Sequence, residues 1–262
     1  MLEDHQSFQL TFSVRHLFVG MVALALSIMP VRAVEPLHAP LFSRAFSPDY
    51  IATADDALPG ETPRPVKVFF RVTELGDLKI TSGRVVVADP FVRMDDPPIA
   101  TPIPSGSYPV RLAVLQGTMG NRRVAFARVD FSPAPVVRWE AVKSEDFYRD
   151  AENPGGSWNF EVDSGMAAFF DPQAGAAALK AANGNEDFFD SWLEKGLNRG
   201  WKDDGASGAF RLLIDAGPAN VAAFDAGWGD GVYMAYVGYD ADGQTAALIA
   251  DFDILDWSKV SE

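Results

Sequence analysis

The sequence contains no cysteine and only three histidines, His5, His16 and His38. The first absence removes disulfides, thiol nucleophiles and thiolate metal sites together. The second thins out imidazole chemistry. His5 and His16 precede or border an apolar N-terminal run, and His38 sits in a Pro- and Ala-rich stretch with few periodic apolar positions. A Ser-His-Asp triad needs an imidazole fixed by packed neighbours, and no other histidine is on offer. A zinc site wants several Cys or His ligands, so no metal is expected. A Gly-x-Ser-x-Gly elbow and the glycine-rich nucleotide loops are also missing, and no cofactor is expected. Basic residues are scarce too: 22 Lys and Arg stand against 36 Asp and Glu, a formal net charge of -14. That excess opposes binding to nucleic acid and to anionic lipid, both of which require cations. The apolar fraction of 48% nevertheless permits a full core.

The N-terminus is the most informative segment. Arg15 and His16 precede Leu17 to Met29, an uncharged apolar run, and Pro30-Val31-Arg32-Ala33 follows with small residues at Val31 and Ala33. This is the pattern of a secretory signal, with cleavage expected after Ala33. The run is shorter than the roughly 20 apolar residues of a membrane span, so no membrane insertion is expected once the signal is removed. The reading is thus an exported protein, periplasmic or secreted, with residues 1–33 a signal peptide, 34–65 an irregular lead-in and 66–262 one β-rich domain.

From Val66 onward, short runs rich in β-branched and aromatic residues alternate with turn residues. Strands are predicted over 66–72, 83–88, 108–116, 123–131, 136–142, 158–165, 219–225, 231–239 and 244–254. Residues 94–107, with four prolines, read as a long loop. Trp158, Phe160 and Val162 alternate with Asn159, Glu161 and Asp163, as on a half-buried strand. Asp240-Ala241-Asp242-Gly243 reads as a plain hairpin turn. One helical region interrupts the strands. Asp171-Pro172 is a cap and first-turn pair, Asn183-Gly184 a stop, and Glu186 to Leu197 a second amphipathic helix. The predicted fold is mainly β, a β-sandwich or barrel-like pair of sheets, with a short two-helix insertion near 172–198.

Four stretches carry a more specific signal. They are Gly83-Arg84 through Asp89-Pro90; Pro104-Ser105-Gly106-Ser107-Tyr108-Pro109-Val110; Val162-Asp163-Ser164-Gly165 with Phe169-Phe170-Asp171; and Gly227-Trp228-Gly229-Asp230-Gly231-Val232-Tyr233 leading to Gly238-Tyr239-Asp240 and Asp251-Phe252. In order and spacing they resemble the family catalogued as domain of unknown function 4241, over about residues 80–255. Ala226 stands where members of that family tend to carry Ser. The resemblance implies a shared fold and a shared site, and no reaction.

With His and Cys set aside, carboxylates are the chemistry that remains. Asp163, Asp225, Asp230 and Asp251 lie in or beside the four stretches. Two such groups can act as acid and base where their surroundings separate their pKa values. Aspartates in turns also bond their own backbone, which is their commonest role. In the fourth stretch, glycines spaced by two permit positive φ or close approach, and Trp228 with Tyr233 offers an aromatic platform. The candidate binding residues are therefore Asp163, Gly227, Trp228, Gly229, Asp230, Gly231 and Tyr233. The expected function is non-catalytic: an exported binding or interaction protein with a protein or glycan partner. Two rivals stay open, a carboxylate-dependent envelope hydrolase acting on a glycan and an immunity-type inhibitor of an extracytoplasmic toxin. Edman sequencing of the exported protein is expected to begin Val34-Glu35-Pro36; a full-length N-terminus would remove the signal assignment.

Overall fold

Runs of alternating apolar residues, punctuated by Gly, Pro and Asp, place most of the chain in strands. The computed structural model describes residues 36, 39–56, 62, 64–116, 122–143, 159–185, 188, 191 and 211–254. By its contacts the chain divides into Met1–Ala33 and Val34–Glu262, and every described residue belongs to the second unit. The elements, in chain order, are α1 (Ala39–Arg44), β1 (Ile51–Asp56), β2 (Arg64–Ile80), β3 (Val86–Ala88), β4 (Gly106–Gln116), β5 (Arg122–Asp130), β6 (Arg138–Ala141), β7 (Asn159–Val162), β8 (Met166–Phe170), α2 (Pro172–Ala182), β9 (Arg211–Ala216), β10 (Ala219–Asp225), β11 (Gly231–Tyr239) and β12 (Thr245–Asp251).

Two antiparallel sheets result. Sheet A runs β1-β2-β4-β5-β12-β11-β6, with β7 also paired to β11, and curls into a half-barrel. Sheet B runs β3-β8-β10-β9. Facing residues in an antiparallel pair share one side of a sheet, so the register separates the two faces of sheet A. On one, Arg111, Arg128, Ile249 and Tyr236 line up across four strands. On the other, Val110, Val129, Leu248 and Val237 do the same, and all four are buried. This second face packs on Ala167, Phe169, Ala222 and Phe224 of sheet B in one apolar cluster.

The outer face of sheet B is covered in turn. Val86, Ala88, Ala168, Phe170, Val221 and Ala223 pack with Ala174 and Ala178 of α2. The layers are thus sheet A, sheet B and α2. The bulge between Glu74 and Gly76 makes this possible. An extra residue reverses which side chains face which way. Before it, Glu74 pairs with Arg111 on the polar face; after it, Leu78 and Ile80 are fully buried toward sheet B. Asn220 of β10, itself fully buried, locks the junction. Its side chain accepts from the Lys79 amide at 2.8 Å and donates to the Asp77 carbonyl at 2.9 Å.

The mainly β reading holds, with two short helices among the described residues. Asp171 caps α2 as expected, and Asn183 ends it in the left-handed region at φ 48°. Asp240 accepts from the amides of Asp242 and Gln244, which makes 240–243 the plain hairpin turn anticipated. Two readings change. The stretch 34–65, expected to be irregular, carries α1 and β1, because Phe42 and its neighbours find an apolar surface supplied by distant strands. The strands β8 and β9 were not anticipated. Met166–Phe170 is uniformly buried, so it lacks the alternation that marks a half-exposed strand. The helix expected at 186–197 falls outside the described residues apart from Phe188 and Ser191, so the helix that joins α2 in the fold description is α1. Trp158 and the turn 117–121 also lie outside the described residues.

Gly175 gives a direct test of the α2 docking. A Cβ there would run into the Met94 carbonyl and sit 3.0 Å from the Phe170 ring. In an open helix Gly→Ala stabilises by about 0.8–1 kcal/mol. Gly175→Ala is expected instead to destabilise by about 1–3 kcal/mol, as overpacking does, measured by urea unfolding.

Candidate functional site

The four family-like stretches lie far apart in sequence, and buried polar groups bring three of them together. Asp89, fully buried at the end of β3, accepts the amides of Asp163 at 2.9 Å and Ser164 at 2.7 Å through one oxygen. Its other oxygen accepts from the Ser164 hydroxyl and from the Phe91 amide, each at 2.8 Å. The turn after β7 is thereby fixed against β3. Gly165 closes that turn at φ 75°, and its carbonyl accepts from the Ala226 amide at 3.0 Å. The turn therefore supports the loop 226–230 that precedes β11.

Asp171, also fully buried, does the same at the other end of β8. One oxygen accepts the amides of Thr81 at 2.6 Å and Ser82 at 2.7 Å; the other accepts from the Gln173 amide at 2.8 Å. Burial alone would raise this carboxyl, but the backbone N–H groups of Ser82, Gln173 and Thr81 outweigh it and hold its pKa below the ordinary value. The second stretch is a local lock. Tyr108 folds its ring over Gly106 and donates to the Pro104 carbonyl at 2.7 Å.

The Gly-Trp-Gly-Asp-Gly loop is held from inside. Gly227 has φ 46° and lies against Phe252 and Ile254, where a Cβ would be 2.9 Å from the Ile254 methyl. Gly229 has φ 99° with open space around it. Tyr233 is buried; its hydroxyl donates to the Gly229 carbonyl at 2.9 Å and lies 3.3 Å from that of Ala226. Burial raises this phenol above its ordinary pKa, so it stays a neutral donor. Tyr233 thus braces the loop from the core and does not line an outer platform with Trp228.

Trp228 is carried outward and is 47% exposed. One face of its indole is covered by Arg123, whose Cζ lies 4.3 Å from the ring centroid. Arg123 also donates through Nη1 to the Gly227 carbonyl at 3.0 Å, so the cation, the backbone and the ring are held together. Nothing in the local sequence pairs Arg123 with Trp228; Arg123 is one of three arginines on β5.

The β7–β11 ladder ends with Val162 opposite Gly231. Asp163 follows Val162 and Asp230 precedes Gly231, and both are exposed. Val232, 61% exposed, pairs with Glu161 on the outer side. Arg93 bonds Glu161 and lies 4.0 Å from Asp163. Burial, with Asp95, Glu161 and Asp89 nearby, raises the Asp96 carboxyl against the pull of Arg93. Asp163, Trp228 and Asp230, with the three glycines, therefore share the outer end of the β7–β11 ladder, and Tyr233 lies beneath it. Asp225 pairs with Met166 inside sheet B, and Asp251 is buried on β12 beside Met234 and Phe126. These two are apart from the loop's outer surface. His38 lies outside the described residues. Among the described residues no three His, Cys, Asp or Glu side chains are gathered as a metal site.

The fold and these linked loops define a protein of two packed antiparallel sheets that presents a braced aromatic loop. The model of the family described as "Protein of unknown function (DUF4241)" matches residues 78–250, and the chain belongs to that family. No curated protein and no solved structure matches it.

Asp171 yields a pH prediction. Its folded pKa lies below the ordinary 3.8, so its contribution is complete above that value and is lost as pH falls through the lowered folded value. Asp171→Asn is expected to lower stability at neutral pH and to flatten the further loss as the pH falls below the ordinary 3.8, read from urea midpoints across pH.

Proposed function

We propose that the chain acts, after export, as a non-catalytic binding protein whose contact surface is centred on the loop 226–231. The observation that carries this reading is the state of Trp228. A large aromatic is ordinarily well buried, yet this one is held out of the core at 47% exposure. It is also rigid, because Arg123 covers one indole face and Tyr233 anchors the loop backbone below. A fixed, half-exposed Trp offers contact area at little ordering cost, which is the character of an interface anchor.

The surroundings support the same reading. Val232 extends the apolar surface, and Glu161, Asp163 and Asp230 give it an acidic margin. An apolar centre with a charged margin matches the anatomy of protein interfaces. The acidic excess of the whole chain favours a partner with a basic contact face and rapid, salt-sensitive association.

Trp228→Ala tests this. The side chain is half-exposed and its loss leaves Tyr233 and the glycines in place, so the urea midpoint should change by about 1 kcal/mol or less, the worth of an exposed cation–π pair. Binding to the partner captured from an envelope extract by the parent protein should weaken by about 30-fold or more, the cost of about 2 kcal/mol for a central anchor. A Trp228→Ala protein that binds that partner as tightly as the parent would remove the loop from the interface.

A further inference from the structure

The other face of sheet A presents a different combination. Three rows of facing residues cross it: Arg111, Arg128, Ile249 and Tyr236; Ala113, Phe126, Asp251 and Met234; and Asp130, Ala247, Gly238 and Trp139. Aromatic rings and charges are interleaved there. Asp130 accepts from Arg111 at 2.6 Å and from Arg128 at 2.7 Å, so one carboxylate is set against two guanidinium groups. These groups are largely withdrawn from water, with side-chain exposure of 11% for Arg128 and 15% for Asp130. Burying such charges is costly, and a face built only for core packing would not need them.

What withdraws them is the segment 39–46. Phe42 is fully buried, with its ring centroid 5.6 Å from Phe126, 5.3 Å from Trp139 and 4.9 Å from Tyr236. Phe46, four residues on, lies within 5.4 Å of the Arg111 Cζ and 5.7 Å of the Arg128 Cζ. The Phe42 carbonyl accepts from Arg128 Nη1 at 3.5 Å. Two aromatic anchors at helical spacing lie in an aromatic, guanidinium-edged face, which is the helix-in-groove mode of peptide recognition.

The attachment is by side chains. Main-chain hydrogen bonds from residues 39–47 and Tyr50 among the described residues close within residues 36–50, as in Ala45 to Leu41 and Tyr50 to Ser47. A helix of six residues has no stability of its own in water. The family match covers 78–250, which includes β4, β5, β6 and β11 and nearly all of β12. The groove therefore lies almost wholly within the matched region, and its occupant lies outside it.

We infer that this face of sheet A is a groove for a Phe-x-x-x-Phe segment, and that residues 39–46 are its resident and releasable occupant. The segment leaves and returns as a unit while the two sheets stay folded, and a separate peptide carrying the same two anchors takes its place when the resident is weakened. This concerns the part of sheet A covered by Phe42 and Phe46 and does not rest on the reading of the Trp228 loop.

The test uses the chain from Val34 to Glu262 and a fluorescent peptide of residues 36–50. Phe42→Ala with Phe46→Ala weakens the resident segment. The doubly substituted protein should bind the peptide saturably, with affinity at least about tenfold tighter than the parent shows, because the parent's tethered copy competes at high effective concentration. A peptide with both Phe residues replaced by Ala should not bind. A doubly substituted protein that keeps the parent's circular dichroism and cooperative unfolding but does not bind the peptide overturns the inference. Hydrogen exchange of the parent decides the matter even where that variant fails to fold. Amides of Ala45 and Phe46 should exchange through a local opening, at least about tenfold faster than those of β4 and β5. Exchange of these amides only through global unfolding would equally overturn it.

Discussion

The carboxylates of Asp89 and Asp171 have no solvent exposure, and each collects main-chain N–H groups from segments distant in sequence. A buried carboxylate is tolerable only when its lone pairs are satisfied, and a buried amide only when it has an acceptor. Each pairing therefore meets two requirements at once. Asp89 fixes the turn after β7, that turn supports the loop before β11, and the loop sets Trp228 at the surface. Asp171 ties the end of β2 to the start of α2 and so joins sheet A to the helix behind sheet B. Removing either acceptor would leave several donors stranded in the interior, each costing about 1–3 kcal/mol.

This arrangement changes what the four family-like stretches mean. Read along the chain, their aspartates invite a catalytic or metal-binding role. In the folded protein Asp89, Asp171 and Asp240 are acceptors for backbone amides, and Tyr108 and Tyr233 donate to carbonyls. The residues of these stretches are largely those that define the loops. What the loops carry is a smaller set: Trp228 stacked on Arg123, and the exposed acids Asp163 and Asp230 at the end of the β7–β11 ladder.

Sheet A, like sheet B, is covered on both sides. Sheet B supplies an apolar cover to one face. The N-terminal segment supplies a short aromatic cover to the other, over charged groups. The two contacts differ in kind: the first buries aliphatic and aromatic rows across several strands, the second rests on Phe42, Phe46 and a few neighbours. Parts of a fold held by few contacts open at lower free energy than the core. That difference makes the second cover the natural place for exchange.

The sequence by itself determined the strand-rich class, most strand positions from β2 to β12, the cap and stop of α2, the 240–243 hairpin and the absence of any disulfide. These depend on residue types and on spacings of a few positions, where side-chain alternation and backbone propensity act locally. Only the tertiary structure decided that Asp89 holds residues 74 and 75 positions away, that Arg123 reaches the Gly227 carbonyl 104 positions away and covers the neighbouring Trp228, and that Tyr233 faces inward while Trp228 faces out. It likewise decided that residues 39–46 dock on sheet A and that Met166–Phe170 is a strand buried on both sides. Each of these depends on which distant segments meet, and burial and pairing across sheets are properties of that meeting, absent from any short window of the chain.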